Sequence, residues 1–235
     1  REPFIGFGEL ALQADRAMQF PTLALALLVS SATASVGDAA DAASRRRLGA
    51  CEPVSEIDLG RYVGRWYNVY YDKFTTLFSS PDCATAYYAA DARAAAPTLT
   101  VNNSGVARRG GGGGGGGGRS TYITGSVAQA DAAAPAELVL RLDGVPRDAS
   151  YRVCALGPPT HGAGYYEYAV VTDDRGLSLY VLARDVDAFF AEHDAVVSAL
   201  LAALGYTGLV WGAANNMLDG CSADIYEPRW VPSVA

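Results

Sequence analysis

The chain has 235 residues, of which 50% are apolar and 18% charged, and its formal net charge is −7. This composition is typical of a globular protein, because disordered chains combine low hydrophobicity with high charge. The negative charge argues against a nucleic-acid partner, which would require a basic surface. The length allows one large all-β domain or two small ones.

The N-terminal 50 residues are predicted to lie outside the globular domain. Residues 1–17 are interpreted as an upstream extension before Met18, and residues 18–34 as a signal peptide with an apolar run at 21–29 and an Ala32-Thr33-Ala34 cleavage site. Residues 35–50 are a predicted linker. These features predict a secreted or lumenal protein, with a plastid or other organelle lumen as the alternative. The apolar run could instead be an N-terminal helix or anchor, although about 20 residues are needed to span a bilayer.

The four cysteines, Cys51, Cys83, Cys154 and Cys221, are far apart and form no C-x-x-C pair. This spacing argues against a zinc site or a thioredoxin-type motif, and we predict no metal and no cofactor. In a secreted chain it predicts two long-range disulfides, with three pairings open.

Short strand-like segments separated by turn residues follow one another from residue 64 onward. Eight such segments predict an antiparallel barrel or sandwich, with a meander as the simplest topology. They are 64–73, 83–90, 98–103, 120–129, 137–142, 150–156, 165–172 and 177–184.

A change to helical periodicity follows the eighth strand, over residues 187–204. Phe189, Val196, Val197, Leu200 and Leu204 recur at helical spacing, and Gly205 is placed to end the helix. We therefore expect one amphipathic helix packed outside the sheet.

A glycine run at 110–118 lies within a predicted insertion, residues 108–119, between the third and fourth strands. As a pattern it matches a phosphate-binding or dinucleotide-binding loop, but both motifs need a strand before and a helix after. Because both neighbours are predicted strands, a low-complexity insertion in a hairpin loop is the better interpretation.

The order of these features resembles the lipocalin family, in particular the branch of apolipoprotein D and the bacterial lipocalins. Gly64-Arg65-Trp66-Tyr67 is similar to the family's G-x-W signature, and residues 83–88 resemble its second strand. Residues 180–184, ending in Arg184, are similar to its last strand, and Thr172-Asp173-Asp174 to part of its middle T-D-Y motif. The resemblance implies an eight-stranded up-and-down β-barrel over residues 51–227, followed by a tail at 228–235.

The resemblance also implies structural roles. Gly64, Trp66 and Arg184 would form the barrel floor, with the guanidinium stacked over the indole. The implied disulfides are Cys83–Cys221 and Cys51–Cys154.

Inward positions follow from the alternation of side chains along each strand, anchored on these resemblances. They form a predicted lining for a small hydrophobic ligand such as a fatty acid, sterol, retinoid or carotenoid, and ligand exchange would involve peripheral membrane contact. The alternative is that they fill a packed core. The predicted ligand-binding residues are Asn68, Tyr70, Tyr88, Asn103, Leu140, Val153, Tyr180 and Leu182.

Two other functions stay open beside carriage or sequestration of a ligand. An enzyme is one, because lipocalin relatives include a prostaglandin isomerase and xanthophyll de-epoxidases. No catalytic constellation is predicted, however, since His161 and His193 are assigned to a loop and the helix, and the inward carboxylate candidate is Asp72 alone. A protein-interaction role is the other.

Asn102 begins the sequon Asn102-Asn103-Ser104 and is predicted to point outward. It is therefore a candidate for N-glycosylation.

Overall fold

The computed structural model describes residues 51–72, 82–106, 120–159, 164–207 and 213–215. The N-terminal segments, the glycine insertion and the tail at 228–235 lie outside this part of the chain. A short helix, α1 (Leu59–Tyr62), precedes the predicted strands. The strands are β1 (Gly64–Asp72), β2 (Asp82–Ala90), β3 (Thr98–Val106), β4 (Ser120–Gln129), β5 (Glu137–Leu142), β6 (Ala149–Leu156), β7 (Tyr168–Thr172) and β8 (Leu179–Ala183).

The strands form a closed barrel, because β1 is hydrogen-bonded to both of its neighbours in the ring. Each strand from β2 to β8 pairs antiparallel with the next, and β1 pairs with β8 on one edge and with β2 on the other. The predicted barrel is therefore confirmed over the sandwich. A short strand that was not predicted, β9 (Ala213–Asn215), pairs with the end of β1 beyond its contact with β2.

The predicted helix is present outside the barrel as α2 (Val186–Ala188), a π-helical turn (Phe189–His193) and α3 (Asp194–Ala203). Phe189, Val197 and Leu201 are buried, and Gly205 follows the helix with a φ of +91°. Val196 is 65% exposed, so its assignment to the buried face is wrong. The π-helical turn contains one residue more than an α-helical turn would. Val197, rather than Val196, therefore lies on the same face of the helix as Phe189.

Buried apolar side chains form two clusters, one on each side of the barrel wall. The inner cluster includes Trp66, Tyr88, Leu99, Leu138, Leu140, Tyr151, Val153, Tyr180 and Leu182. The outer cluster joins the helix to β1, β7 and β8 and includes Val69, Val170, Leu179, Val181, Phe189, Val197, Leu201 and Tyr206.

A disulfide joins Cys51 to Cys154, with 5.7 Å between their Cα atoms. This is the pairing that the resemblance implied, and it ties the segment before α1 to β6. The Val54 N–H donates to the carbonyl of Val153 at 2.9 Å in the same region. Cys83 is also disulfide-bonded, but its predicted partner, Cys221, lies outside the described residues.

Candidate functional site

The closed end of the barrel is built on the contact between Arg184 and Trp66. The guanidinium lies 3.8 Å from the centre of the indole ring, and the Tyr165 ring is 5.4 Å away. The same guanidinium donates hydrogen bonds to main-chain carbonyls at the end of α1, in β1 and before β7. The acceptors are the carbonyls of Arg61, Tyr62, Arg65 and Tyr166, at 2.7–3.2 Å.

Gly64 makes room for this arrangement. Its φ is +95°, in the region that favours glycine, and a Cβ at this position would lie 3.1 Å from Nη1 of Arg184. The glycine of the G-x-W motif therefore serves both the turn into β1 and the approach of the guanidinium.

A chain of tyrosine hydroxyls continues the floor into the interior. Trp66 Nε1 donates to the Tyr62 carbonyl at 2.8 Å, and the Tyr151 hydroxyl lies 2.7 Å from that of Tyr62 and 3.0 Å from that of Tyr88. Sequence reasoning missed Tyr62 and Tyr151. Alternation from Val153 could have identified Tyr151, whereas nothing local to α1 indicates that Tyr62 enters the barrel.

These tyrosines remain protonated at neutral pH. Burial raises the pKa of Tyr88 to about 12, and it holds the pKa values of Tyr62 and Tyr151 well above their usual range. Burial likewise raises the pKa of Tyr180. Burial lowers the pKa of Arg184 to about 10, which leaves its guanidinium charged at neutral pH. The inner phenols therefore offer hydrogen bonds but are poor bases.

Most residues of the predicted lining lie together inside the barrel. Asn68 is placed opposite Leu182 by the strand register, which puts it on the inner face. Asn103 lies between the inner residues Ala86 and Ile123 of its neighbouring strands. The other predicted residues in the inner cluster are Tyr88, Leu140, Val153, Tyr180 and Leu182.

Tyr70 does not belong to this lining, so its predicted orientation is wrong. It packs on the outer cluster with its ring centre 5.9 Å from that of Phe190, and its hydroxyl donates to Asp194 at 2.7 Å. The cause is a bulge in β1, because Asn68 pairs with Leu182 whereas Tyr70 pairs with the adjacent Val181. The extra residue reverses the alternation and makes Tyr71 the inward side chain opposite Tyr180.

The bulge also moves Asp72, the carboxylate that alternation placed inside the barrel. Asp72 follows the inward Tyr71 and therefore faces the other side of the wall. It is fully buried, and its Oδ2 accepts the Leu179 N–H at 3.0 Å. This carboxylate is thus committed to the junction of β1 and β8 rather than to the interior.

Asp173, the second residue of the Thr172-Asp173-Asp174 motif, holds the loop before β8 through hydrogen bonds. The Asp173 carboxylate accepts the N–H groups of Arg175 and Leu177, each at 2.9 Å, and the Ser178 hydroxyl at 3.1 Å. Asp173 therefore has a structural role in this loop.

The side chains of the consecutive residues Asn102 and Asn103 are buried, and both have amide atoms without a hydrogen-bond partner among the described residues. Asn103 is 3% exposed, and its Oδ1 lacks a hydrogen-bond partner within the described structure. Asn102 faces the other side of the wall, as predicted, but it is only 2% exposed. Glycosylation of Asn102 would therefore require its side chain to leave this buried position.

A small space lies inside the barrel beside Leu140, Tyr151 and Tyr180, with a volume of about 10 Å³. This is close to the minimum needed for one water molecule. A larger ligand at this point would have to displace side chains such as Tyr180.

The described ranges contain neither a candidate metal site nor a histidine that faces the barrel interior. There, no group of three His, Cys, Asp or Glu side chains is arranged to hold a metal ion. His193 lies on the outer helix, where Nε2 is 2.7 Å from Oε2 of Glu167, and His161 lies outside the described residues. Across the same ranges, no helix is long and apolar enough to cross a membrane.

Comparisons with known proteins find solved structures that are similar to this chain. No protein-family model matches the chain, and no curated protein matches it in sequence. Insecticyanin from the tobacco hornworm Manduca sexta aligns with a TM-score of 0.50 and 17% identity, over 73% of this chain and 86% of that one. Per a 4, a major cockroach allergen, aligns with a TM-score of 0.45 and 16% identity, over 74% of this chain and 98% of that one. The closed eight-stranded antiparallel barrel with its outer helix is the lipocalin fold.

Proposed function

We propose that this chain is a lipocalin that binds and carries, or sequesters, a small apolar ligand bearing a hydrogen-bond donor. The barrel interior is lined mainly by aromatic and aliphatic side chains, which suits an apolar molecule. Its membership of the apolipoprotein D and bacterial branch is part of the proposal and rests on the sequence motifs alone.

The observation that carries the proposal is the unpartnered Oδ1 of Asn103. A buried amide oxygen without a partner costs free energy, and a ligand hydroxyl or N–H placed against it would recover that cost. An ionised carboxylate can only accept hydrogen bonds and would leave the oxygen unsatisfied. The interior should therefore prefer alcohols to carboxylic acids with the same apolar body.

The enzyme alternative has less support from the described residues. The inner tyrosines have raised pKa values, and the carboxylate predicted to face inward, Asp72, is buried on the other side of the wall. Binding needs only the hydrogen-bonding groups and apolar surface that these residues supply.

Retinol and retinoic acid provide a matched test, because they share one apolar body and differ in the polar end. We expect retinol to bind about fivefold to tenfold more tightly, since satisfying one buried polar atom is worth about 1–1.4 kcal/mol. Asn103→Leu should remove this preference, measured by quenching of protein fluorescence. Asn102→Leu is the control, because its side chain lies on the other side of the wall.

If neither retinoid binds the parent protein, the carrier proposal is wrong. If both bind but Asn103→Leu leaves their ratio unchanged, the carrier role survives and the role of Asn103 is wrong.

A further inference from the structure

A groove of about 520 Å³ lies on the outer wall of the barrel across β2 to β5. This volume falls within the range of small-molecule sites. We call it the Asn102 groove, and its side chains include Tyr87, Thr100, Asn102, Thr124, Ser126 and Arg141. It is separate from the interior site and does not depend on the ligand proposed there.

Asn102 is the feature of this groove that indicates a ligand. Its side chain is more than nine-tenths buried, and neither Nδ2 nor Oδ1 has a hydrogen-bond partner in the described part of the protein. The strand register places it between Tyr87 and Thr124. An amide in this state can both donate to and accept from a molecule seated in the groove.

The arginine of the groove, Arg141, is already paired with a carboxylate, which argues against an anionic ligand. Arg141 Nε donates to Asp148 at 2.9 Å, and the Thr124 hydroxyl donates to Asp143. The Thr100 hydroxyl donates to the Ala89 carbonyl at 3.3 Å. Because both threonine protons are used, these hydroxyls present lone pairs, which suit a ligand rich in hydroxyl donors.

The strand pairing argues against an extended peptide as the occupant. Peptides that bind to a sheet usually add a strand to a free edge. Here β3 is paired with β2 and β4 along the groove, and β4 is paired with β5. A small molecule that bonds to side chains fits this surface better.

A glycine lies where the strands meet beneath the groove. Gly125 pairs with Val101 on β3 and with Leu142 on β5. A Cβ at this position would collide with the Arg141 carbonyl, so the close approach of β4 and β5 requires glycine.

We propose that the Asn102 groove binds a small neutral saccharide, with the Asn102 amide donating to one sugar hydroxyl and accepting from its neighbour. The half-buried Tyr87 ring offers an apolar face beside these groups. The threonine hydroxyls accept from the remaining sugar hydroxyls.

The test is calorimetric titration of the chain, produced in a bacterial host without N-glycosylation, with glucose, N-acetylglucosamine, maltose and cellobiose. We expect saturable binding of at least one sugar and a loss of at least about tenfold in affinity in Asn102→Leu. Asn103→Leu is the matched control, because it makes the same substitution one residue away on the inner face. It should leave sugar affinity unchanged.

A thermal melt separates a ligand-binding role from a structural one. Replacing an unsatisfied buried amide with an apolar side chain of similar shape should leave the melting temperature unchanged or raise it. A folded Asn102→Leu that binds sugar as well as the parent would overturn the proposal. The absence of sugar binding up to about 10 mM would also overturn it. So would saturable binding of N-methylacetamide by a protein that binds none of the four sugars.

Discussion

The guanidinium of Arg184 lies 3.8 Å over the ring of Trp66 and also holds four main-chain carbonyls around the closed end of the barrel. Trp66→Ala should reduce the free energy of unfolding by about 3–5 kcal/mol, because it empties a fully buried site. Arg184→Lys should cost about 1–2 kcal/mol, since it keeps the charge but loses the planar fork of donors. Denaturant melts measure both, and a Trp66→Ala protein as stable as the parent would contradict the floor assignment.

Gly64 and Gly144 form a matched pair for testing the crowding at the floor. Both have positive φ, +95° and +79°, but only Gly64 has a neighbour, Nη1 of Arg184, in the path of a Cβ. Gly144→Ala should cost about 1–2 kcal/mol for its backbone conformation, and Gly64→Ala about 1 kcal/mol more. Equal losses in a denaturant melt would show that the guanidinium yields without cost.

Tyr70→Phe tests the bulge in β1. The change removes the hydrogen bond to Asp194 on the outer helix and should cost about 1 kcal/mol of stability. Because Tyr70 lies outside the barrel, retinol affinity should be unchanged. A clear loss of retinol binding without a loss of stability would instead place this side chain in the interior.

Buried tyrosines should make the fold sensitive to alkali. The folded pKa of Tyr88 is raised to about 12, so its contribution is fully present below the unfolded pKa near 10 and is lost as pH rises towards 12. For Tyr88 alone this amounts to about 2–3 kcal/mol. Tyr62, Tyr151 and Tyr180 change stability in the same direction.

The lowered pKa of Arg184 makes stability change with pH in the direction opposite to that of the tyrosines. Its folded pKa is lowered to about 10, so the unfolded chain binds more protons above that pH and stability rises there with pH. The effect of one arginine offsets that of about one tyrosine, so that a net loss of stability remains between about pH 10 and 12. Urea melts of the parent and of Tyr88→Phe measure it, and the variant should show the shallower decline. A flat profile in the parent would mean that these phenols are accessible to solvent.

The Cys51–Cys154 disulfide closes a loop with a sequence separation of 103 residues. Replacing both cysteines with alanine should cost about 4–5 kcal/mol by the chain-entropy model. Peptide mapping without reduction should recover the Cys51–Cys154 pair. Recovery of a Cys51–Cys83 pair would contradict the strand register.

The sequence by itself determined the eight barrel strands and the outer helix, but not the short elements α1 and β9. Alternating apolar residues separated by turn residues predict the eight strands, and the change of period predicts the helix, because these signals are local to each segment. The G-x-W motif and the final arginine also indicated the floor, through the resemblance rather than through any property of the strands.

Only the tertiary structure decided where the alternation breaks and which side chains from other segments complete the interior. A bulge inserts one residue into β1 and reverses the orientation of Tyr70, although its neighbours in sequence give no sign of it. Tyr62 enters the floor because the closed end brings α1 against Trp66, at a ring separation of 4.9 Å. Alternation separated Asn102 from Asn103, but burial of both amides depends on packing between segments distant in sequence, which no local pattern encodes.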